Sequence, residues 1–311
     1  MKYRLTAILI LLILLLTGCN QSGTSLKQPD NTKASFVDAL GHNVTVHKAD
    51  RVIALSGSFA ETWLLAGGNL IGTTQDAFTD GPALDESVHD VGRLHSPSLE
   101  QIIALEPDLV LLSKSISAHV KLYDQLKAAG ITTAYFDVEV FGEYLDMLKI
   151  CTDITGRRDL YESNGIAVKS RIDKVISKAN RAASHPRVLF VRVNSTSATA
   201  RNSDTMAGAM LKDLGCINIA DSQSSLLKNL SMETIIQEDP NFIFSVTMGE
   251  SEEKALKVLE ETLEANPAWS GLTAVKNKQN FILPKDLFHL KPNNRWGESY
   301  ERLYGILYDE K

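Results

Sequence analysis

Two histidines in opposite halves of the chain have the side-chain chemistry to bind a metal. His95 follows a short apolar run that ends at Val91, and His289 follows a run that ends at Pro284. An imidazole nitrogen is a good donor to a transition metal, including the iron of haem or of an incompletely wrapped chelate. His95 and His289 are therefore candidate iron ligands; the alternative is that each is a solvent-facing loop residue.

Three arginines in similar loops offer a second kind of chemistry. Arg93, Arg192 and Arg295 each carry a planar guanidinium, which binds carboxylate, catecholate or hydroxamate oxygens through two hydrogen bonds. Anionic chelates and the propionates of haem present such oxygens. The alternative for each arginine is a surface ion pair that contributes little to stability.

Further candidate ligand residues are polar and aromatic side chains just beyond predicted strands. They are Ser58, Phe59, Asn194, Lys291 and Trp296. The rings of Phe59 and Trp296 can stack on a porphyrin or a catechol, although an aromatic residue near a helix start more often packs in the core. The other histidines share no metal-ligand spacing and are predicted at the surface: His42, His47, His89, His119 and His185.

The elements that carry these residues repeat one plan. Residues 51–55 and 187–191 are apolar runs typical of buried strands, and helical patterns follow at residues 59–66 and 206–214. A glycine comes directly after each helical pattern, where a left-handed C-cap is expected. The chain therefore contains an α/β unit in each half.

A closer repeat follows in each half, at residues 98–110 and 231–243, where five of thirteen positions are identical. Ser98 and Ser231 are each placed to cap a helix by accepting from its first-turn N–H groups. Proline then ends each helix, and an apolar strand follows at residues 109–113 and 242–246. Strands alternating with helices at this spacing predict a parallel sheet in each half.

One long amphipathic helix is predicted between the halves, at residues 156–183, with apolar residues on one face and charges on the other. The predicted fold is α/β, with two Rossmann-like lobes (residues 36–155 and 184–311) whose parallel central sheets are joined by that helix. Ligands bind outside the carboxyl ends of the strands in open parallel sheets. Two such edges facing each other predict a cleft with little closing motion.

The N-terminus has the features of an export signal. Lys2 and Arg4 precede the apolar run Leu5–Leu16, which is too short for the ~20 residues of a membrane-spanning helix. The run ends at Leu16-Thr-Gly-Cys19, which resembles the lipobox of bacterial lipoproteins. We expect a signal peptide at residues 1–18, lipid on Cys19 and a polar tether at residues 19–35; the alternative is a short uncleaved anchor.

Composition and motifs argue against several functions. Loss of residues 1–18 removes two positive charges and changes the formal charge from −6 to −8, which argues against nucleic-acid binding. The Gly-x-Ser-x-Gly, phosphate-loop and dinucleotide motifs are missing from the sequence, which argues against the alternative of a lipid-anchored hydrolase. A zinc or manganese receptor would need three or four His, Asp or Glu ligands that converge on one ion, and the sequence shows no such cluster. Cys151 and Cys216 read as buried apolar residues, and the sequence leaves open whether they pair.

Four further sequence segments carry a family resemblance. They are residues 38–46 followed by Arg51-Val52; Val91-Gly92 followed by Ser98-Leu-Glu-Gln-Ile; residues 106–110; and residues 269–276. In this order, and with the lipobox, the chain resembles the helical-linker (class III) substrate-binding lipoproteins of ATP-driven importers for iron-siderophores, haem and cobalamin. The resemblance implies capture of a ferric siderophore or haem without catalysis or a catalytic cofactor. Cobalamin stays an open alternative. In some haem-binding members the position of His95 carries an axial methionine.

The resemblance also implies partners and a location. The expected partners are the permease and ATPase of an ABC importer, with the protein monomeric and anchored by lipid outside the cytoplasmic membrane. Family members contact the permease through one glutamate on each lobe, which matches Glu100 and Glu233 here. The alternative for both glutamates is stabilisation of a first helical turn through the helix dipole.

Overall fold

The computed structural model of the chain describes residues 32–182, 184–249 and 251–309. The predicted signal peptide, the lipidation site Cys19 and most of the predicted tether lie outside the described residues. The first strand begins at Ala34, before the predicted lobe boundary at Phe36, because Ala34 pairs with Val46 in a hairpin. The remaining predicted domain boundaries stay predictions.

The first half contains a parallel five-stranded sheet and two short hairpins. Its strands are β1 Ala34–Val37, β2 Asn43–Val46, β3 Val52–Ala54, β4 Gly72–Thr73, β5 His89–Asp90, β6 Gly92–Arg93, β7 Ser96–Pro97, β8 Leu109–Ser113 and β9 Thr132–Phe136. The sheet has the order β5-β4-β3-β8-β9, and every pairing in it is parallel. The pairs β1–β2 and β6–β7 are antiparallel.

The second half contains the other five-stranded sheet. Its strands are β10 Arg187–Val193, β11 Ala198–Ala200, β12 Ile217–Asn218, β13 Phe242–Thr247 and β14 Asn280–Leu283. The order is β11-β10-β13-β14, with β12 also beside β10. Only β11 pairs antiparallel, through a hairpin from β10, so the prediction of two mainly parallel sheets is confirmed.

Helices cover both sheets. Those of the first half are α1 Gly57–Leu65, α2 Gln75–Asp80, α3 Leu99–Ala104, α4 Ser117–Val120, α5 Tyr123–Ala128 and α6 Phe141–Thr155. The connecting segment contains α7 Arg158–Tyr161, a π-helical turn Glu162–Ile166 and α8 Ala167–Ala179. The second half has α9 Met206–Asp213, α10 Ile219–Ser222, α11 Met232–Glu238, α12 Glu252–Leu259, α13 Thr273–Lys276, α14 Lys285–Phe288 and α15 Trp296–Tyr304. It also has 3-10 turns Ser224–Leu227, Trp269–Gly271 and Asn293–Arg295, and π-helical turns Glu260–Glu264 and Gly305–Asp309.

The predicted linker helix is present but is wound differently in its middle. Gly156, in a left-handed conformation (φ 73°), ends α6 and separates it from the linker. The π-helical turn then interrupts the α-helical winding. It contains Gly165, where an added Cβ would lie 2.7 Å from a side-chain carbon of Leu145 and 3.1 Å from one of Leu148. The lack of a side chain at Gly165 therefore lets the linker pack closely against α6. Within the described ranges, no helix is long and apolar enough to cross a membrane.

One hydrophobic cluster runs through both halves and the linker. It includes Val52 and Leu109 of the first sheet, Val168, Ile172 and Val175 of α8, Phe190 and Val246 of the second sheet, and Trp296 of α15. Two smaller clusters cover the opposite faces of the sheets. Cys151 and Cys216 belong to the shared cluster, where both are unpaired and burial raises the pKa of each thiol to about 12.

The two repeated helices, α3 and α11, have the same beginnings and ends. The side-chain oxygens of Ser98 and Ser231 each accept from the backbone N–H three residues on, at 3.3 Å. Each helix is followed by a non-glycine residue with positive φ just before proline, Glu106 (44°) and Asp239 (37°). The residue before a proline is kept out of the right-handed helical region, which explains why both helices stop there.

One arginine in each half, Arg51 directly before β3 and Arg187 at the start of β10, hydrogen-bonds to the end of the repeated helix. Arg51 donates to the carbonyls of Leu105 (2.6 Å) and Glu106 (3.1 Å). Arg187 donates to the carbonyl of Glu238 (3.1 Å) and pairs with its carboxylate. These arginines satisfy carbonyls that have no partner inside the helix, and they fix each helix against its sheet.

We expect Gly208→Ala to destabilise the protein by about 1–3 kcal/mol, because the added carbon meets backbone that cannot move away. At this buried position in α9, a Cβ would lie 2.0 Å from the carbonyl oxygen of Asn202. Gly142, near the start of α6, has no atom within 4 Å of the same added carbon. Gly142→Ala is therefore the control and should stabilise by about 0.5–1 kcal/mol. Urea unfolding of the mature chain measures both; equal effects would contradict the close packing at Gly208.

Candidate functional site

A cavity of about 240 Å³ lies at the carboxyl ends of the first sheet. The chain reaches it at or just after the ends of four strands. The lining residues there are 56–59 after β3, Asp76 after β4, Ser113 at the end of β8 with residues 115–116 beyond it, and residues 138–139 after β9. The second half closes it with residues 289–291, beyond β14. This is the location at which open parallel sheets bind ligands.

Two ion pairs join the halves around this cavity. Lys291 contacts Glu139 at 2.8 Å, and Lys285 contacts Asp80 at 3.0 Å. The side chains of Asp80 and Glu139 are about half exposed, at 43% and 50%, so each pair contributes little to stability, about 0–1 kcal/mol. A competing anion can therefore replace either carboxylate at small cost.

Asn293 forms a buried contact between the halves that sequence reasoning missed. Its Nδ2 donates to the carbonyl of Ser58 (3.1 Å) and to the carboxylate of Glu61 (2.5 Å), and Thr62 donates to its Oδ1 (3.3 Å). Burial raises the pKa of Glu61, although the Asn293 bond and nearby Arg295 oppose the shift. Asn293 has a φ of 49°, a conformation that asparagine tolerates better than most residues. The Pro-Asn-Asn tract was the only sequence signal for this turn.

His289 is the predicted metal ligand that lines the cavity. Its pKa is lowered to about 4, first by burial and then by the positive charges of Arg192, Lys285 and Lys291. The ring is therefore neutral at pH 7, as metal coordination requires. Its Nδ1 is buried and has no hydrogen-bond partner among the described residues.

His95 is not brought together with His289 in the cavity wall. It lies in the turn of the β6–β7 hairpin, where Leu94 lines the cavity and the next side chain, His95, is exposed. Arg93 is likewise exposed on β6. The alternation of side chains along the hairpin gives the inward position to Leu94, which accounts for the difference from the predicted pair.

The prediction that His119 lies at the surface is wrong, because the residue is fully buried. Its Nδ1 accepts from the backbone N–H of Ser113 (3.1 Å), so its Nε2 carries the proton and donates to the carbonyl of Leu94 (2.8 Å). Burial lowers the pKa of His119 and keeps this tautomer neutral. His119 thus holds the β6–β7 hairpin against the cavity, and metal-ligand spacing alone gave no signal for this role.

Two arginines of the second half lie side by side near His289. Arg192 is half-buried, and its pKa is lowered by burial and by the like charge of Arg201. The Nε atoms of both arginines are buried without a hydrogen-bond partner among the described residues. Arg201 was missed by the sequence prediction; because β11 folds back antiparallel on β10, Arg201 returns beside that strand.

The other predicted ligand residues have mixed positions. Ser58, Phe59 and Lys291 line the cavity, as His289 does. Asn194 is used locally, since its Oδ1 accepts from the backbone of the β10–β11 turn.

Arg295 and Trp296 do not line the cavity. Arg295 forms ion pairs with Asp286 (2.7 Å) and Glu298 (2.8 Å), which occupy its guanidinium. Trp296 is 1% exposed, and its ring packs edge-on against Phe141 with 6.0 Å between centroids. Helix α15 turns this ring into the shared core, so its face is not open to a ligand.

Glu100 and Glu233 are exposed in the first turns of α3 and α11. Neither forms an ion pair or a side-chain hydrogen bond with any described residue. Within the same ranges, no group of three or more His, Cys, Asp or Glu side chains is arranged to hold a metal ion.

The family described as periplasmic binding protein matches residues 52–287. The chain belongs to this family. It is 23% identical over 307 residues to the putative ABC transporter substrate-binding lipoprotein YhfQ of Bacillus subtilis (strain 168), covering 94% of this chain and 93% of that protein. It is 24% identical over 291 residues to the Fe(3+)-citrate-binding protein YfmC of the same organism, covering 90% and 88%. Among solved structures, Staphylococcus aureus SirA complexed with staphyloferrin B has a TM-score of 0.69 at 23% identity, covering 89% of this chain and 97% of that one.

We expect the stability of this binding protein to fall as pH decreases from 7 to 5, partly because of His289. The pKa of His289 is about 4 in the folded protein and about 6.5 when unfolded, so its contribution is complete above pH 6.5 and is lost as pH falls towards 4. From pH 7 to pH 5 the loss should be about 1–2 kcal/mol. His289→Gln should remove this part of the slope in urea unfolding, whereas His89→Gln, at an exposed position, should not. Equal slopes for the wild type and His289→Gln would contradict the buried, neutral imidazole.

Proposed function

We propose that this binding protein, attached by a lipid on Cys19 outside the cytoplasmic membrane, captures an anionic ferric chelate and delivers it to the permease of an ABC importer. It does so as a monomer and without catalysis. The observation that carries the proposal is the cavity at the strand ends, together with two nearby arginines. Arg192 and Arg201 do not line the cavity, but the charge of Arg192 acts on the pKa of the wall residue His289, and the Nε donors of both arginines have no partner among the described residues.

The charges around the cavity favour an anionic ligand. Each acid in its wall has at least one partner: Asp80 has Lys285, Glu139 has Lys291, Glu61 has Asn293, and the Oδ2 of Asp76 accepts from the backbone N–H of Gly57 at 2.7 Å. The buried Oδ1 of Asp76 and the buried Nε donors of Arg192 and Arg201 have no partner among the described residues, so two guanidinium groups are left unsatisfied against one carboxylate oxygen. Buried donors without partners are costly, so a ligand that supplies oxygen acceptors is stabilised there.

Carboxylate-bearing ferric chelates fit these requirements. They offer oxygens to guanidinium and ammonium groups, and iron can accept the neutral imidazole of His289 if the chelate leaves a coordination position open. The relatives support this class, since one is named for Fe(3+)-citrate and a similar solved structure holds staphyloferrin B.

Haem is the second candidate, and one observation favours it. The buried, unpaired and neutral Nδ1 of His289 can serve as one axial ligand. The rest of the predicted haem set is not assembled in the cavity, because His95 is exposed and Trp296 is in the core. Cobalamin would also need a stacking wall, and the buried ring of Trp296 does not provide one.

Paired titrations with ferric citrate and haemin test the cargo. We expect ferric citrate to bind, and the double variant Arg192→Gln, Arg201→Gln to weaken binding about 10- to 100-fold, since a hydrogen bond to a charged group contributes about 1.5–3 kcal/mol. Arg158→Gln is the control, because the side chain of Arg158 is 89% exposed and lies on the linker. Tryptophan fluorescence or calorimetry gives the affinities. A Soret band with haemin, together with no response to ferric citrate, would favour haem instead.

The predicted contact with the permease is tested by reversing the charges of Glu100 and Glu233. We expect the double variant Glu100→Arg, Glu233→Arg to abolish iron uptake in cells that lack the native copy, while its affinity for ferric citrate stays unchanged. Asp124→Arg with Glu253→Arg is the matched control, because both residues are exposed first-turn acids on other helices. Wild-type uptake by the glutamate variant would refute the docking assignment.

A further inference from the structure

Each repeated helix exposes one isoleucine a turn beyond its unpaired glutamate. Ile103 on α3 is 39% exposed and Ile236 on α11 is 45% exposed, at equivalent positions of the repeat. The residue before each of them, Ile102 or Ile235, is fully buried in its own half. The adjacent isoleucines thus have different roles: the first packs against the sheet, and the second faces solvent.

Folding alone gives no reason for an isoleucine at the second position. A single exposed apolar residue is ordinary, but here the same exposure occurs at the same place in both halves. Isoleucine is a weaker helix former than lysine, glutamate or glutamine, any of which would suit a short exposed helix better. The repetition therefore indicates that the exposed isoleucine belongs to a contact surface in each half.

The glutamates and isoleucines lie on the side of the protein that bears the cavity. Helices α3 and α11 lead into β8 and β13 of parallel sheets, so each runs opposite to its strand and begins at the carboxyl edge of its sheet. Those edges carry the cavity walls. A partner that contacts both helix starts therefore faces the region where cargo enters or leaves.

We propose that Glu100 with Ile103, and Glu233 with Ile236, form two equivalent docking patches for the permease. Each patch presents a carboxylate and, one helical turn along the same face, a branched aliphatic side chain. The partner surface that fits has a cationic side chain next to an apolar pocket, twice, in an approximately two-fold arrangement. The inference rests on the proposed function, because it extends the glutamate contact with the permease.

The two parts of a patch have different effects on binding. Exposed charges mainly accelerate encounter and set orientation, whereas burial of an aliphatic side chain mainly slows dissociation. Loss of the isoleucines should therefore weaken docking even when the charges are intact. Uptake by a variant that lacks the isoleucines should also remain low at reduced ionic strength, where attraction between the charges of the two proteins is strongest.

The test compares glutamine substitutions on exposed helical positions. We expect Ile103→Gln with Ile236→Gln to reduce uptake of radioactive iron supplied as ferric citrate at least 10-fold, with unchanged ferric citrate affinity of the purified protein. Ile166→Gln and Leu256→Gln are the controls, because these residues are 37% and 36% exposed on other helical segments. Glutamine suits a helix, so the variants should fold; urea unfolding verifies this.

A photo-cross-linking measurement makes the result independent of the cargo. With p-benzoylphenylalanine in place of Ile103 or Ile236 in living cells, both positions should cross-link to one polytopic membrane protein, identified by mass spectrometry as an ABC permease. Replacement of Ile166 or Leu256 should give no such product.

The outcomes separate the two proposals. If the glutamate variant abolishes uptake and the isoleucine variant does not, the apolar part of the patches is wrong and the glutamate contact stands. If ferric citrate is not imported by the wild type but both positions cross-link to the permease, the patches stand and the cargo assignment fails. Cross-links to no membrane protein, from both positions, would overturn the patches.

Discussion

The apolar core shared by both sheets and the linker is the constraint on which the rest of the structure depends. Residues of α8, such as Ile172 and Val175, belong to the same buried cluster as Phe190 of the second sheet and Val52 of the first. Separating the halves would expose this surface, at a cost of about 25 cal/mol for each Å² of apolar area. The sheets therefore keep their spacing, and the cavity can adapt mainly through the loops that follow the strands.

The polar contacts between the halves differ in strength because they differ in burial. Asn293 is 1% exposed and holds three partners on α1, so its removal would leave buried polar groups unsatisfied. The Lys285–Asp80 and Lys291–Glu139 pairs are partly hydrated and contribute little. The Asn293 contact fixes the second half against α1, whereas the two ion pairs can break without loss of the fold.

Sequence periodicity was sufficient for the architecture, but not for the direction of side chains in loops. β8 occupies the predicted residues 109–113, because five consecutive apolar or small residues between turn signals fit a strand buried on both faces. The exposed position of His95 depends on which side chain of a two-residue turn faces inward, and the position of Arg201 depends on a hairpin that returns beside β10. The directions of these side chains depend on tertiary packing. The presence of a histidine or arginine in a loop could therefore suggest a ligand residue, but could not decide whether its side chain reaches the cavity.

The two halves resemble each other in their repeated helices but differ in the residues that they contribute to the cavity. The repeated helices retain equivalent serine caps, left-handed ends and arginine ties from Arg51 and Arg187. The cavity shows no such symmetry, since its acids come from the first half and its nearby unpaired cations from the second. A small chelate has no reason to present the same groups to both halves, whereas a partner with two similar subunits or repeats does. Retained symmetry thus coincides with the proposed docking surface, and lost symmetry coincides with the proposed ligand site.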